Sequence, residues 1–302
     1  MKKTLLGRIS MIAILSVSMA ACQKDQSLVA DNTAVSQEVM LASGKGSVPG
    51  DVVLTFYALS GNVLDKYSTA NPETIISSAS ISGLQPGERI LGIDFRPLTG
   101  QLYGLGSNSR LYTINPGTGL ATFVAPLTTA MTPTTAAGVP VLLSGTSFGV
   151  DFNPSVDRLR VISNTGQNLR IVPTTGATFI DGSINPQPAS INGVAYDNNS
   201  AGATPTELYA LDVTTDTQYD ILPPNAGTLV NPLSIALKIE GDGGFDIAPR
   251  RAAVTTDIGL ALYEVNKKST LFLIDSETGE TRILAKYNKS IMYSGLAISP
   301  LP

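Results

Sequence analysis

One short motif recurs five times in this sequence and constrains the fold more than any other feature. Each copy begins with Gly and continues with an apolar residue, an Asp or Ala, and a second apolar residue. The copies occupy residues 92–97, 149–154, 193–198, 244–249 and 295–300. Their glycines are 57, 44, 51 and 51 residues apart, close to the period of about 40–50 residues that is typical of four-stranded propeller blades.

Three further strand-like segments follow most of the copies. After the copy at 149–154, they lie at 159–162, 169–172 and 177–180. Tight turns separate the last two strands of a unit, as at 115–119, because Asn or Asp opens such a turn and Gly adopts the positive φ at its end. Each unit therefore reads as four antiparallel strands.

The two ends of the chain complement each other. The copy at 295–300 has no chain left for its partner strands, whereas the strand-like segments at 54–60, 63–67 and 74–81 have no copy before them. Joining the two ends completes one unit and leaves no open sheet edge. We therefore predict an all-β fold, a β-propeller of five four-stranded blades whose N- and C-terminal strands close one blade. Six blades are the alternative.

The N-terminus has the features of a targeting segment. A basic start precedes the apolar residues 9–21, a stretch too short to span a bilayer. It ends in Met-Ala-Ala before Cys22, the one cysteine of the chain, which resembles a bacterial lipobox. We predict a lipoprotein signal peptide at 1–21, lipidation of Cys22, a flexible tether at 22–50 and the propeller at 51–302. An ordinary secretory signal is the alternative.

Composition excludes several classes of site and partner. The absence of His excludes a Ser-His-Asp triad and an imidazole metal site, and a single Cys excludes an internal disulfide. Loss of the signal peptide removes Lys2, Lys3 and Arg8, which leaves 17 basic and 24 acidic residues, a net charge of −7. Such a surface disfavours nucleic acid as a partner. We expect a bacterial, extracytoplasmic protein that is held at the outer membrane or cell surface by its lipid.

Four motifs resemble a known family. They are the segments at 102–105, 151–154, 157–160 and 167–170, which read LYGL, DFNP, DRLR and QNLR. Together they resemble the bacterial domain of unknown function numbered 4394, across roughly residues 54–300. The resemblance implies a propeller-like fold and a secreted or lipoprotein setting, and it implies no activity.

Asp94, Asp151 and Asp246 occupy the same place in three of the five motif copies, and Ala195 and Ala297 occupy it in the other two. The first strand of each propeller blade lines the central channel, so three carboxylates would converge there. They form a candidate metal site, and Ca²⁺ is the cofactor that such oxygen ligands indicate. The alternative is structural: each Asp accepts a hydrogen bond from a neighbouring blade's backbone or pairs with an arginine.

A second candidate site lies in the unit at 149–180. Arginines stand on its second and third strands where other units carry Tyr103, Tyr112, Tyr209 and Tyr263. Partly buried arginines require anions, which are either internal carboxylates or a bound ligand such as a carboxylated or sulfated sugar. The predicted ligand-binding set is Asp151, Asn153, Asp157, Arg158, Arg160, Asn168 and Arg170.

These features favour a lipid-anchored binding or scaffold module with no assigned catalytic residue. Its partners would be a glycan, an anionic small molecule or another envelope protein, besides the membrane. Two alternatives remain open. One is a Ca²⁺-dependent hydrolase or lactonase-like enzyme that uses the channel carboxylates. The other is a purely structural envelope protein.

Overall fold

Five β-sheets surround a central axis in the computed structural model of the protein, which describes residues 53–249, 257–287 and 291–300. Each sheet forms one blade, and its innermost strand lies beside the axis. The innermost strands contact one another in a closed cycle that takes one strand from every sheet. The described part of the chain is therefore a five-bladed β-propeller, as predicted, and the six-bladed alternative is wrong.

The strands are numbered in chain order. The outer strands of blade five are β1 (Thr55–Ser60), β2 (Val63–Ser68) and β3 (Ser77–Ser80). Blade one comprises β4 (Ile90–Phe95), β5 (Leu102–Gly106), β6 (Arg110–Ile114) and β7 (Ala121–Pro126). Blade two comprises β8 (Thr128–Thr129), β9 (Phe148–Asn153), β10 (Arg158–Ser163), β11 (Asn168–Ile171) and β12 (Ala177–Ile180). Blade three comprises β13 (Ile191–Tyr196), β14 (Leu208–Asp212), β15 (Thr217–Ile221) and β16 (Leu229–Ser234), with a 3₁₀ helix at Pro224–Ala226. Blade four comprises β17 (Glu240–Ile247), β18 (Ile258–Val265), β19 (Lys268–Asp275) and β20 (Thr281–Lys286). The innermost strand of blade five is β21 (Gly295–Ile298).

The C-terminal strand closes the ring against the N-terminal strands. Strand β21 pairs antiparallel with β1, which places Ala297 opposite Tyr57 and Leu296 opposite Ala58. The sheet order is β21-β1-β2-β3, so blade five takes its inner strand from one end of the chain and its outer strands from the other. The predicted closure is confirmed.

Repeated glycines allow the inner strands to approach closely. A Cβ at Gly149 would lie 2.8 Å from the backbone nitrogen of Val194 on the next blade. A Cβ at Gly244 would collide with the backbone of Leu296 on β21. Neither glycine has a positive φ, so close packing rather than turn geometry requires glycine at these places. Gly295 is the exception, because its nearest neighbours would lie 3.4 Å or more from a Cβ.

Five clusters of buried apolar side chains stabilise the ring, one at each interface between successive blades. The cluster between blades one and two contains Tyr103, Phe148 and Phe152, and the Tyr103 and Phe152 rings meet edge to face. Because both faces of the inner strands are covered, their burial is almost continuous. In blade four, every residue in the second half of the inner strand β17 is buried. The same is true of the first half of β18, the strand next to it.

The 57-residue interval between Gly92 and Gly149 contains an insertion. This insertion, residues 127–147, includes β8, which pairs in parallel with β12 at the outer edge of blade two. Blade two therefore has a fifth strand that the sequence pattern did not predict. No helix in the described ranges is long and apolar enough to cross a membrane. The predicted signal peptide, Cys22 and the tether lie outside the described residues.

Candidate functional site

Three inner strands bring Asp94, Asp151 and Asp246 together at the axis, and these residues are called the axial carboxylates below. Each offers one carboxylate oxygen, and the three oxygens all lie within 4.8 Å of one another. Each residue is 1% exposed. The repeat predicted this convergence, because equivalent positions on innermost strands face the same channel.

Each axial carboxylate also links its blade to the next one. Asp94 Oδ2 accepts a hydrogen bond from the Phe152 amide at 2.7 Å, and Asp151 Oδ2 accepts one from the Tyr196 amide at 2.8 Å. Asp246 Oδ2 accepts one from the Ile298 amide at 2.6 Å. The bonds to neighbouring backbone therefore exist, as the structural alternative expected. The pairing of Asp151 with an arginine does not occur among the described ion pairs.

Two oxygens of the axial carboxylates remain without partners. Asp94 uses its second oxygen for the Phe95 amide at 2.6 Å, whereas Oδ1 of Asp151 and Oδ1 of Asp246 are buried with no hydrogen bond. Burial raises the pKa of Asp94 and of Asp151 well above a carboxyl's usual range, and neighbouring carboxylates raise both further. Burial raises the pKa of Asp246 to about 7, although the nearby backbone amides of Ile298 and Ile247 oppose the rise.

Pockets open at both ends of the inner strands. Where these strands begin, Ile90, Phe148, Ser294 and their neighbours line a pocket of about 330 Å³. On the side where the inner strands begin, the repeated glycines enclose a cavity of about 10 Å³. On the side where they end, Phe95, Pro97, Ile298 and their neighbours line a pocket of about 250 Å³, called the mouth pocket below. None of the three aspartates lines the mouth pocket. A ligand in it would therefore not touch their carboxylates.

Arg160 lies in blade two with its guanidinium group buried. Register places it between Asp151 on β9 and Arg170 on β11, and its side chain is 2% exposed. Nη1 donates to Asn168 Oδ1 and Asp181 Oδ2, each at 2.8 Å, and Nη2 donates to Asn225 Oδ1 at 2.8 Å. Nε donates to the Tyr196 hydroxyl at 3.2 Å. Internal groups of blades two and three thus satisfy this guanidinium.

Arg170 shares the same carboxylate but reaches the surface. Its Nε and Nη2 donate to Asp181 Oδ2 and Oδ1 at 3.0 and 3.1 Å, and the guanidinium lies 4.5 Å from the centre of the Phe179 ring. The Arg170 side chain is 25% exposed, against 8% for Asp181. Arg160, Arg170 and Asp181 form what is called the arginine cluster below. It contains two cations and one anion.

A surface pocket of about 390 Å³ opens beside this cluster and is called the blade-two pocket. Arg170, Phe179 and Asp181 form one wall, and the inserted residues Thr132, Thr134 and Thr135 belong to the other. Its lining combines a cation, an aromatic ring and several hydroxyls. Those are groups that hold the charged and hydroxyl substituents of a small polar ligand.

Of the other residues in the predicted ligand-binding set, apart from the axial Asp151, one contacts the arginine cluster and three do not. Asn168 contacts Arg160 and also donates to the carbonyls of Gly182 and Pro224. Three others lie at the turn between β9 and β10. The Asn153 side-chain oxygen accepts the Ser155 and Val156 amides, Asp157 pairs with Arg96 of blade one, and Arg158 donates to the carbonyls of Val156 and Asp157. The structure therefore brings together Arg160, Asn168 and Arg170, and separates them from Asn153, Asp157 and Arg158.

Strand register corrects part of the predicted alignment. Tyr103 opposes Asp94 and Tyr209 opposes Ala195, just as Arg160 opposes Asp151. In blade four, however, Leu260 rather than Tyr263 opposes Asp246. In blade one, Thr113 rather than Tyr112 is the counterpart of Arg170. The assignments of Tyr112 and Tyr263 were wrong by one and three residues, because apolar alternation alone does not fix strand register.

The sequence did not identify Asp181 or Asn225 as site residues. Asp181 directly follows β12, and Asn225 lies in the 3₁₀ helix of blade three. The sequence did contain an indication of Asp181, because it is an acidic residue close in the chain to two arginines that need an anion. Asn225 is distant in the chain from Arg160 and carried no such signal.

A family model described as "Domain of unknown function (DUF4394)" matches residues 63–297. No curated protein matches the sequence. A crystal structure of a nidogen/laminin complex is similar with a TM-score of 0.48 and 12% identity, over 82% of this chain and 99% of that chain. A structural genomics protein of unknown function from Bacteroides thetaiotaomicron has a TM-score of 0.47 and 15% identity, over 77% of this chain and 57% of that one.

Proposed function

This chain belongs to the DUF4394 family, a domain of unknown function, and we propose from its own residues that it is a binding module of the bacterial cell envelope. Its ligand would be an anionic glycan, with a carboxylate or sulfate group, held in the blade-two pocket. Lipidation of Cys22 would hold the module at the outer membrane or cell surface. The cysteine at the end of the apolar N-terminal segment supports that location.

The unbalanced charge of the arginine cluster is the observation that carries the proposal. Asp181 is the one carboxylate that pairs with Arg160 and Arg170 in the described ion pairs, so the cluster keeps one positive charge. Besides Asp181, Arg160 donates only to neutral amide oxygens and a hydroxyl among the described groups, whereas Arg170 lines the pocket. Among the described hydrogen bonds of Arg170, none uses Nη1. That nitrogen offers two donors to an anionic group.

The hydrolase alternative receives less support from the geometry. Its acid and base would be the axial carboxylates, which are 1% exposed and line neither the mouth pocket nor the blade-two pocket. General acid–base catalysis requires such a group within hydrogen-bond reach of the reacting atoms. The axial carboxylates instead join adjacent blades, which favours a rigid ring that presents a binding surface.

Titration calorimetry with three oligosaccharides of equal length tests the proposal. One carries uronate groups, one carries sulfate groups, and a neutral glucan is the control ligand. We expect the anionic ligands alone to bind, with an affinity that falls as salt rises. Arg170→Met should lower that affinity at least tenfold, because a charged hydrogen bond is worth about 1.5–3 kcal/mol.

Arg158→Met is the matched control variant. It removes the same charge from the same blade, but Arg158 bonds to carbonyls of its own turn and not to Asp181. It should bind like the wild type. Equal loss of affinity in both variants would indicate attraction by overall charge, and an absence of binding by any anionic glycan would refute the proposed ligand.

A further inference from the structure

The axial carboxylates carry more negative charge than the described protein groups neutralise. None of the five described ion pairs includes Asp94, Asp151 or Asp246. The residues packed around them on the inner strands are apolar side chains, glycines, backbone amides and the neutral Asn192 side chain, and none of these is a cation. Three carboxylates that share a buried site cannot all be ionised without a compensating positive charge.

Two of these side chains have a free oxygen, which points to a ligand. Oδ1 of Asp151 and Oδ1 of Asp246 are buried without a partner, although both residues are 1% exposed. Buried polar atoms almost always have a hydrogen-bond partner. Asp94 has both oxygens bonded to amides, but a carboxylate oxygen has a second lone pair and can accept again.

From this arrangement we propose that the channel binds one Ca²⁺ ion through Asp94, Asp151 and Asp246. Ca²⁺ takes oxygen ligands at about 2.3–2.6 Å, so two ligands of one ion can lie up to about 5 Å apart. The separation of no more than 4.8 Å between the three oxygens fits that limit. Further ligands would be the second oxygens of the carboxylates, since Ca²⁺ takes six to eight oxygens and accepts bidentate carboxylates, and water, for which the adjacent glycine-lined cavity of about 10 Å³ has room for about one molecule.

The ion would connect blades one, two and four, of which blades one and two are joined at the axis by the hydrogen bond from the Phe152 amide to Asp94. On blades three and five the equivalent positions are Ala195 and Ala297, which offer no ligand atom. A shared ion therefore stabilises the folded ring and has no equivalent in the unfolded chain. This site is independent of the blade-two pocket, and its test does not depend on glycan binding.

The test uses the full chain, freed of metal with a chelator and dialysed, with Ca²⁺ alone as the probe. Calorimetry should give one ion per chain, and elemental analysis after gel filtration should find it retained. Thermal melts should show a Tm at least about 5 °C higher at saturating Ca²⁺ than in chelator. Mg²⁺ should shift the Tm less, because it requires shorter bonds and stricter geometry.

Asp151→Asn distinguishes the effect of ion binding from the effect of the hydrogen bond to the Tyr196 amide. Asparagine keeps an oxygen for the Tyr196 amide but removes one negative charge. We expect its Tm in chelator to equal or exceed that of the wild type, and the Ca²⁺ shift to disappear. Asp220→Asn is the control, since Asp220 lies on β15 and bonds to Asn231 outside the channel. It should keep the full shift.

Several results would overturn the site. They are no Ca²⁺ shift in the wild type, an undiminished shift in Asp151→Asn, or an equal shift with Mg²⁺. If Asp151→Asn does not fold, Asp246→Asn replaces it, and the stoichiometry and Tm of the wild type still decide. A Tm that responds to neither Ca²⁺ nor chelator would indicate that protons alone neutralise the axial carboxylates.

Discussion

Replacement of Arg160 by Met should destabilise the protein because the hydrogen-bond partners of Arg160 are left without a donor. Loss of side-chain volume should contribute little. Methionine fills much of the space of the arginine stem and needs no hydrogen bonds. Arg160 donates to Asn168, Asp181, Asn225 and the Tyr196 hydroxyl, and all four bonds disappear. The cost depends on which partners can find a replacement.

The structure indicates about 3 kcal/mol for Arg160→Met. Asn168 is 1% exposed, and loss of a donor to such a buried oxygen costs about 1–3 kcal/mol. The buried Tyr196 hydroxyl also loses a donor, whereas Asn225 is exposed and can bond to water. Asp181 keeps its two bonds from Arg170, so the full penalty of about 3–5 kcal/mol for an unpaired buried charge does not arise.

Arg170→Met should cost about 1 kcal/mol, because this side chain is partly exposed and Asp181 still accepts a bond from Arg160. The double variant is the sharper test. Without either guanidinium, the carboxylate of Asp181 is left nearly buried and unpaired. The double variant should therefore lose about 2 kcal/mol more than the sum of the single changes.

Urea unfolding of the wild type, both single variants and the double variant measures this coupling, provided that the m-values agree. Arg158→Met should stay within about 0.5 kcal/mol of the wild type. Additivity of the two arginine substitutions within about 0.5 kcal/mol would refute the reasoning. It would mean that Asp181 does not depend on the two guanidinium groups as alternative partners.

Three further changes test other parts of the molecule. Cys22→Ser should move the protein from the membrane to the soluble fraction of lysed cells, and a wild type that is itself soluble would contradict lipidation. Deletion of residues 295–302 should lower the Tm sharply, because it removes β21, exposes the edge of β1 and takes the Ile298 amide from Asp246; an unchanged Tm would contradict ring closure. Gly244→Ala should cost about 3 kcal/mol or prevent folding, whereas Gly295→Ala should cost less than about 1 kcal/mol, since only the first meets backbone atoms of the next strand. Equal urea midpoints for the two alanine variants would contradict the packing role of these glycines.

The fold was predictable because the repeat encodes it more than once. Glycines, apolar alternation and turn residues recur at the same offsets, so an error in one unit is corrected by the others. The split blade followed from the same logic, since the ends of the chain lacked complementary strands. The insertion at 127–147 was not predictable, because it occurs in one unit alone and pairs its two-residue strand β8 with an edge.

The candidate sites were predictable in part. Residues on strands of the repeat could be placed from the sequence, and residues outside the repeat could not. Positions on inner strands inherit their place from the repeat, so the convergence of the axial carboxylates could be expected from the sequence. The partners of Arg160 lie in segments that the repeat does not constrain, namely the end of β12 and the 3₁₀ helix of blade three. A requirement for an anion could be inferred from the arginines, but the residue that supplies it depends on contacts between blades.

The order of Asp and Ala around the ring explains why Oδ1 of Asp151 has no backbone partner at the axis. When a blade carries an axial Asp, the next blade in the ring donates a backbone amide to that carboxylate. The donating amide belongs to the residue that follows the Asp or Ala of the next blade's own motif. Blade five carries Ala297 before blade one, so the Phe95 amide bonds to the second oxygen of Asp94 itself. Blade two comes after blade one, which carries Asp94. The amide of Phe152, the residue after Asp151, therefore bonds to Asp94 and not to Asp151. No amide is then left for Oδ1 of Asp151, so the order of residues in the repeat itself creates the demand for a cation or a proton at the axis.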